Sequence, residues 1–428
     1  MKPILIRGGR LIDPASDTDA PRDLLLRDGK VAAIEKAGKI KASGADVIDA
    51  KGLIVAPGLI DIHVHLREPG QGYKETIATG TAAAAAGGFT TVCAMPNTTP
   101  VNDSPETTRW MQAPERGASI RVLPIAAATR GSLGETLTDF AGLKEAGAIA
   151  VTDDGRPILG DAIMLQALRA AAAIGLPVIQ HAEDTRLTGG CSMNAGPLAF
   201  RLGLRGMPVE AESGLVKRDI DLLRQVPNAH LHVAHISTKK ALDAVRAARK
   251  AGLHVTCEVT PHHLALTEER VGLYDTNAKM NPPLRSESDR AAMIEGLLDG
   301  TIDAIATDHA PHALHEKEQE FDRAPNGITG LETALGLAIR ILHGEHKMPI
   351  AKVLALLTTR PAEALGLKGL GSVAPGSTAD VVLIDPDAAW RFRAEDSKSR
   401  SKNTPFEGWE LRGRIQATIA GGRIAYRS

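Results

Sequence analysis

The sequence predicts an α/β chain: a (β/α)8 barrel of the TIM type with a small β-sandwich domain built from both termini. Three observations lead there. The middle of the 428-residue chain holds eight short apolar runs, mostly separated by amphipathic or Ala-rich segments, the pattern of parallel strands joined by crossover helices. Both ends instead read as short alternating segments broken by Gly, Pro and Asp, which is the signature of tight β-turns. Finally, residues capable of chemistry gather at the carboxyl ends of the central runs, where a parallel barrel carries its site. An open doubly wound sheet is the rival architecture, but it would not bring the ends of strands one, four, five, six and eight together.

Taken in order, residues 1–56 form the first part of the β unit, with strand-like runs at 4–6, 10–12, 24–26 and 31–34. The barrel spans 57–368. Its expected strands are 60–65, 89–94, 120–127, 148–152, 178–181, 231–235, 254–258 and 302–307, with helices such as 161–173, 239–250 and 287–298 between them. Residues 82–86, all alanine, read as plain helix. The second part of the β unit spans 369–428, with strands at 380–384, 415–419 and 422–426. Within it, the charged and polar stretch 394–404 is expected to be a surface loop. The long charged stretch 310–328 is expected to be a mobile lid over the site.

Composition removes several classes of function. Fifty basic against 51 acidic residues give a formal net charge of −1, so there is no electrostatic case for nucleic acid or an anionic membrane. No apolar stretch reaches the ~18 residues that span a bilayer, and the N-terminus lacks the apolar core of a signal peptide. Cys93, Cys191 and Cys257 are far apart and form no C-x-x-C pair. The expectation is a disulfide-free, cytoplasmic protein.

The segment Asp61-Ile62-His63-Val64-His65-Leu66-Arg67 ends the first barrel strand. Side chains on a strand alternate faces, so His63 and His65 point the same way and form a ready pair of metal ligands. Arg67 follows two residues later, where a planar fork suits a substrate carboxylate. Alone, each further candidate has an ordinary reading. His181 is equally at home in a core, His235 belongs to an alternating trio with His230 and His232 that faces either way, and Asp308 could cap the next segment. Jointly they put His, His, Asp, His, His and Asp at the ends of strands one, one, four, five, six and eight. That set fits zinc or a similar divalent ion, and six ligands suit two ions sharing a carboxylate. The fourth-strand ligand is Asp153 or Asp154; periodicity does not separate neighbours.

These segments resemble the amidohydrolase superfamily and, within it, dihydroorotases of the long bacterial barrel-plus-sandwich type. Asp61–Gly70 resembles the family's H-x-H-x-R-x-P-G. Met95–Pro100 resembles M-P-N-T-x-P, Thr152–Gly155 resembles T-D-D-G, and Lys279–Arg285 resembles K-M-N-P-P-L-R. Thr307–His312 resembles T-D-H-A-P-H, and Gly327–Glu332 the G-x-x-G-x-E beyond it. The resemblance implies metal ligands His63, His65, Asp154, His181, His235 and Asp308. It also implies substrate contacts from Arg67, Asn97, Asn281 and His312, with Asn326 and Gly327 as further candidates. Asp308 is the implied catalytic base, and two Zn2+ ions bridged by Asp154 are the implied cofactors, with a single ion as the alternative. Many superfamily members use a carboxylated lysine as the bridge, but no lysine lies between Gly147 and His181. The implied reaction is reversible hydrolysis of L-dihydroorotate to N-carbamoyl-L-aspartate, as in pyrimidine biosynthesis. Alternatives are a hydantoinase or allantoinase, or a non-catalytic scaffold for aspartate transcarbamoylase. The expected partners are a small-molecule substrate and a second copy of the chain, with association with aspartate transcarbamoylase left open.

Overall fold

In the computed structural model, which describes residues 2–428, the N-terminal alternation forms β1 (Ile4–Asp13), β2 (Thr18–Arg27), β3 (Lys30–Lys36), β4 (Asp46–Asp49) and β5 (Ile54–Pro57). Asp28 and Gly29 join β2 to β3 with φ of 50° and 73°. A two-residue hairpin turn requires this left-handed pair, and Asp-Gly supplies it cheaply. The central strands are β6 (Leu59–Val64), β7 (Phe89–Ala94), β8 (Arg121–Pro124), β9 (Ala126–Ala127), β10 (Val151–Thr152) and β11 (Val178–Gln180). A small pair, β12 (Met193–Asn194) and β13 (Gly206–Met207), precedes β14 (Leu231–Val233), β15 (Val255–Val259) and β16 (Ala304–Ile305). The chain closes with β17 (Val381–Arg391), β18 (Glu410–Ala420) and β19 (Arg423–Arg427).

Both termini do share one sheet, ordered β19-β18-β17-β5-β1-β2-β3 with β4 on β1. The join is β17, which runs antiparallel along β5 from Val381 opposite Pro57 to Ile384 opposite Ile54. Strand β17 begins apolar on every residue because it is buried on both faces. Val381 and Leu383 pack with Ile6, Leu24 and Val55, whereas Val382 and Ile384 enter the large central core.

The central strands are parallel and fall into two hydrogen-bonded groups, β6-β7-β8 and β9-β10-β11-β14-β15-β16. Ile125 N–H donates to Ala94 O at 2.8 Å where the groups meet, and His65 N–H donates to His309 O at 2.9 Å beyond β6. Buried on both faces, these strands read as continuous apolar runs rather than alternations. The expected helices appear as Asp161–Ile174, Lys239–Lys250 and Glu287–Leu298. Thr238 and Ser286 cap the last two by accepting from Ala241 N–H and Asp289 N–H. The fold is therefore mixed α/β. No helix among the described residues is long and apolar enough to cross a membrane.

Some expectations need correction. The expected strands 148–152 and 302–307 pair over only two residues each, as β10 (Val151–Thr152) and β16 (Ala304–Ile305), and the expected strand 120–127 is divided into β8 and β9. Beyond them the chain turns to aim side chains inward; Asp308 has φ 46°. The stretch 394–404 is a surface loop only in part: Glu395, Asp396, Lys398, Arg400 and Lys402 are exposed, but Ser399, Ser401, Asn403 and Thr404 are at most 5% exposed. Ser399, Ser401 and Asn403 bond through their side chains to Glu75, to Lys74 O, and to Ala310 O and Gly327 O, whereas Thr404 Oγ1 accepts from Phe406 N–H.

The stretch 310–328 includes a short helix, Leu314–Lys317, and is tied from below by two buried ammonium groups. Lys317 Nζ donates to Pro325 O (2.9 Å) and Gly327 O (3.2 Å), and Lys279 Nζ donates to Phe321 O (2.6 Å) and Asp322 O (3.0 Å). Burial, reinforced by the charge of Lys279, lowers the Lys317 pKa from 10.5 to about 7. A folded value below the unfolded one means that the group's stability contribution is present above pH 10.5 and lost as pH falls to about 7. Lys317→Met should therefore flatten the rise in urea midpoint between pH 7 and pH 9.5. An unchanged slope would show that Lys317 does not titrate there.

Candidate metal centre and substrate pocket

Six of the expected residues converge. Asp154 lies at the middle: its Oδ1 is 3.6 Å from His63 Nε2, 3.6 Å from His181 Nδ1 and 3.9 Å from His235 Nε2, and its Oδ2 is 3.7 Å from His65 Nε2. Asp308 Oδ1 is 2.9 Å from His65 Nε2 and 3.6 Å from His63 Nε2. Three overlapping groups have metal-compatible spacing: His63–His65–Asp154, Asp154–His181–His235 and His63–His235–Asp308. Asp153 points away, accepting from Thr129 N–H at 2.9 Å and from the Thr129 hydroxyl. The neighbours that periodicity left equivalent are thus separated by side-chain direction.

The donor set is oriented for a cation. A carboxylate only accepts, so His63 Nδ1–H donates to Glu258 Oε1 (2.7 Å) and His181 Nε2–H to Glu183 Oε2 (3.1 Å). Asn97 donates from Nδ2 to Asp154 Oδ2 (2.9 Å), which leaves its Oδ1 to accept from His65 Nδ1–H (2.8 Å). In each case the second ring nitrogen faces Asp154, the arrangement in which outer carboxylates and carbonyls fix a ligand's tautomer. His63 Nε2 and His235 Nδ1 are buried and make no hydrogen bond. Burial opposes charge on His63 and His181. Asp308, Glu258 and Asp154 nonetheless push His63 up to about 10, and Asp154 and Glu183 do the same to His181. The cluster is a sink for positive charge, and the residues fit a divalent metal.

Strand order explains the convergence. His63 lies near the end of β6 and Glu258 near the end of β15, and His232 on β14 reaches the other oxygen of Glu258 (Nε2–H to Oε2, 3.1 Å). The histidine trio therefore divides. His235 enters the cluster, His232 supports Glu258, and His230 faces the far end, bonded to Thr256 Oγ1 at 2.7 Å. The sequence reading passed over Glu258 and Glu183. The signal for Glu258 was its place at the end of the seventh strand. Glu258→Gln presents an amide N–H to one of two imidazoles that need an acceptor. Metal affinity should fall about 10- to 100-fold, measured by chelator competition; unchanged affinity would refute this support role.

Beside the His/Asp cluster lies a cationic wall. Arg67, 8% exposed, donates from Nε to Pro311 O (3.0 Å) and brings Nη2 within 3.2 Å of His312 Nε2. His312 Nε2–H donates to Asn326 O (2.9 Å), and Lys74 Nζ lies 3.4 Å from His312 Nδ1. Burial, with the charges of Arg67, Lys74 and Lys317, lowers the His312 pKa to about 2, so its imidazole is neutral. Gly327 stacks closely under His312; a Cβ there would lie 2.5 Å from His312 Cδ2. Asn281 sits beside His181 and Glu183, donating to Glu183 Oε2 (2.7 Å) with its Oδ1 buried and unbonded. Asn97 belongs to the His/Asp cluster by its contacts, and Arg67, His312, Asn326 and Gly327 form a separate group. Arg67, His235 and Asp308 all adopt positive φ (61°, 31° and 46°), a strained region for side-chain-bearing residues that concentrates at functional sites.

Comparison with known proteins gives this geometry a family. Residues 52–241 match the model of the Dihydro-orotase-like family. A dihydroorotase of Geobacter metallireducens is 48% identical over 425 residues, 99% of each chain. One of Syntrophotalea carbinolica is 49% identical over 426 residues, also 99% of each. Among solved structures, the L-hydantoinase of Arthrobacter aurescens superposes with a TM-score of 0.87 at 25% identity, covering 99% of this chain and 96% of that one. A D-hydantoinase of Thermus sp. gives 0.84 at 26% identity, covering 99% and 95%. With close to half its residues identical along the whole length of such relatives, the chain belongs to the dihydroorotase family, in the amidohydrolase superfamily.

Proposed function

We propose that this chain is a metal-dependent cyclic amidohydrolase that interconverts L-dihydroorotate and N-carbamoyl-L-aspartate. The observation that carries the reading is the Arg67–His312 wall standing beside a six-residue His/Asp cluster. Such a site pairs amide hydrolysis with recognition of a carboxylate. In this reading the central strands are a (β/α)8 barrel over 57–368, and residues 1–56 and 369–428 form the β-sandwich. Zinc, as a pair, would be held by His63, His65, Asp154, His181, His235 and Asp308, with Asp154 as the shared carboxylate. The working form is a cytoplasmic homodimer, with association with aspartate transcarbamoylase as a further arrangement.

When bound, the metal pair supplies Lewis acidity, lowering the pKa of a water and polarising the ring carbonyl. The remaining work falls to the chain. Arg67 holds the substrate carboxylate as a fork, and the neutral His312 and the Asn326–Gly327 backbone line the ring's edge. Asn281, beside His181, offers a further hydrogen bond. Asp308 accepts the proton of the attacking water. As the ring C–N bond breaks, it returns that proton to the departing nitrogen. Fixing the ring this way matters because ~1 Å of misplacement costs ~100-fold in rate.

A hydantoinase is the second reading, favoured by the fold of the solved relatives. It is disfavoured by the lack of any lysine between Gly147 and His181. Turnover of L-dihydroorotate against hydantoin by the purified, metal-analysed protein decides between them. Preference for hydantoin would displace the proposal, and no turnover of either by metal-loaded protein would favour the scaffold alternative.

A further inference from the structure

The long connection between β17 and β18 leaves the peripheral sheet and returns over the substrate pocket, and it is fastened there residue by residue. Glu332 accepts from Lys398 N–H at 2.7 Å and from the Ser397 hydroxyl. Glu75, fully buried, accepts from Arg400 N–H at 3.0 Å and from the Ser399 hydroxyl. Ser401 Oγ donates to Lys74 O at 2.7 Å. These anchors deliver Asn403, 4% exposed, into the gap between the two chain segments that carry the pocket wall.

There Asn403 uses all of its polar groups except its own N–H. Its Oδ1 accepts from His312 N–H (3.0 Å), and its Nδ2 donates to Ala310 O (3.0 Å) and Gly327 O (3.0 Å). Its backbone carbonyl accepts from Thr329 N–H (2.9 Å). One side chain therefore spans 310–312 on one side and 327 on the other and, together with the direct bonds from Ala310 N–H to Ile328 O (2.9 Å) and from His312 Nε2–H to Asn326 O (2.9 Å), holds His312 against the Asn326–Gly327 backbone. Among the described residues, no other side-chain amide bonds to both segments. Asparagine suits the task because it offers one acceptor and two donors in a rigid plane. Aspartate, its isostere, keeps the acceptor but turns a carboxylate oxygen toward two carbonyl oxygens.

We propose that Asn403 is a positioning residue of the substrate pocket, and that the segment 397–403 makes the C-terminal sheet a working part of the site. The proposal rests on the reading of His312 and Asn326–Gly327 as substrate contacts. It assigns a role to the glutamate of the Gly327–Glu332 motif, which does not face the metal cluster: Glu332 anchors the segment that carries Asn403.

The test uses the full-length, metal-loaded protein with Asn403→Ala and Asn403→Asp, and Lys398→Ala as a control with an exposed side chain in the same segment. Both Asn403 variants should raise KM for L-dihydroorotate about 10- to 100-fold with kcat within about threefold of wild type. Metal content should not change. Amide hydrogen exchange at 310–312 and 327–329 should quicken at least about tenfold while that of the central strands stays as in wild type. Lys398→Ala should match wild type throughout. Wild-type KM and exchange in both variants would overturn the proposal, as would a joint fall of kcat, metal content and thermal midpoint, the mark of a general structural role. If the wild-type protein does not turn over L-dihydroorotate, the functional reading fails, and the exchange arm decides alone: local quickening upholds the clamp, and unchanged exchange removes it.

Discussion

Asp308→Asn is expected to lower kcat for L-dihydroorotate by about 10²- to 10⁴-fold, the range for loss of a general acid–base group. The carboxylate sits 2.9 Å from His65 Nε2 and 3.6 Å from His63 Nε2, 3% exposed, on a residue held at φ 46°. The amide keeps the shape of the side chain but cannot take and return a proton. Steady-state kinetics with metal analysis checks this. Full metal content with collapsed kcat supports the base, and activity within about tenfold of wild type removes Asp308 from that role. Loss of metal and activity together would assign Asp308 mainly to metal binding.

Arg285→Met is expected to destabilise the protein by about 3–5 kcal/mol, the cost of breaking a buried ion pair by removing one partner. The Arg285 side chain is 1% exposed and its partner Glu212 is 3% exposed, with Nη2 3.4 Å from Oε2. Arg285 also donates to Ser237 Oγ (3.0 Å) and Asn194 Oδ1 (2.9 Å). Glu212 in turn accepts from Ser237 N–H and Thr238 N–H, both at 3.0 Å. These two residues follow His235 and lead into the helix Lys239–Lys250. Removing the guanidinium therefore leaves a buried carboxylate short of a partner at the turn that aims His235 into the His/Asp cluster. A lowered urea midpoint together with weakened metal binding is the expected result; a midpoint unchanged from wild type would show the pair to be dispensable.

The Arg285 case also shows how far the sequence could be read. Its motif, Lys279–Arg285, was visible, yet the motif mixes jobs. Asn281 faces the pocket, Lys279 holds the 321–322 carbonyls, and Arg285 is buried around Glu212. A string of residue types does not say which side chain turns which way. The same gap left Asp153 and Asp154 open, because adjacent residues beyond a two-residue strand have no periodicity to sort them. It also made 394–404 look like solvent-facing loop: serines and an asparagine read as polar surface whether they bond to water or to buried carboxylates.

What could be read from order along the chain was whatever repeats or pairs locally: the apolar runs of the central strands, the capped helices between them, the turn at Asp28-Gly29, and His63 and His65 two apart on one strand. Those features depend on backbone period and near neighbours, which the sequence states directly. Only the tertiary structure decided which carboxylate meets which imidazole. Glu258 reaches His63 across 195 positions, and Asn403 reaches His312 across 91. Such pairings are set by strand order and side-chain direction after packing. They carry no local periodicity, because a hydrogen bond between distant segments costs the intervening chain only a slowly growing loop entropy and leaves no mark on its pattern.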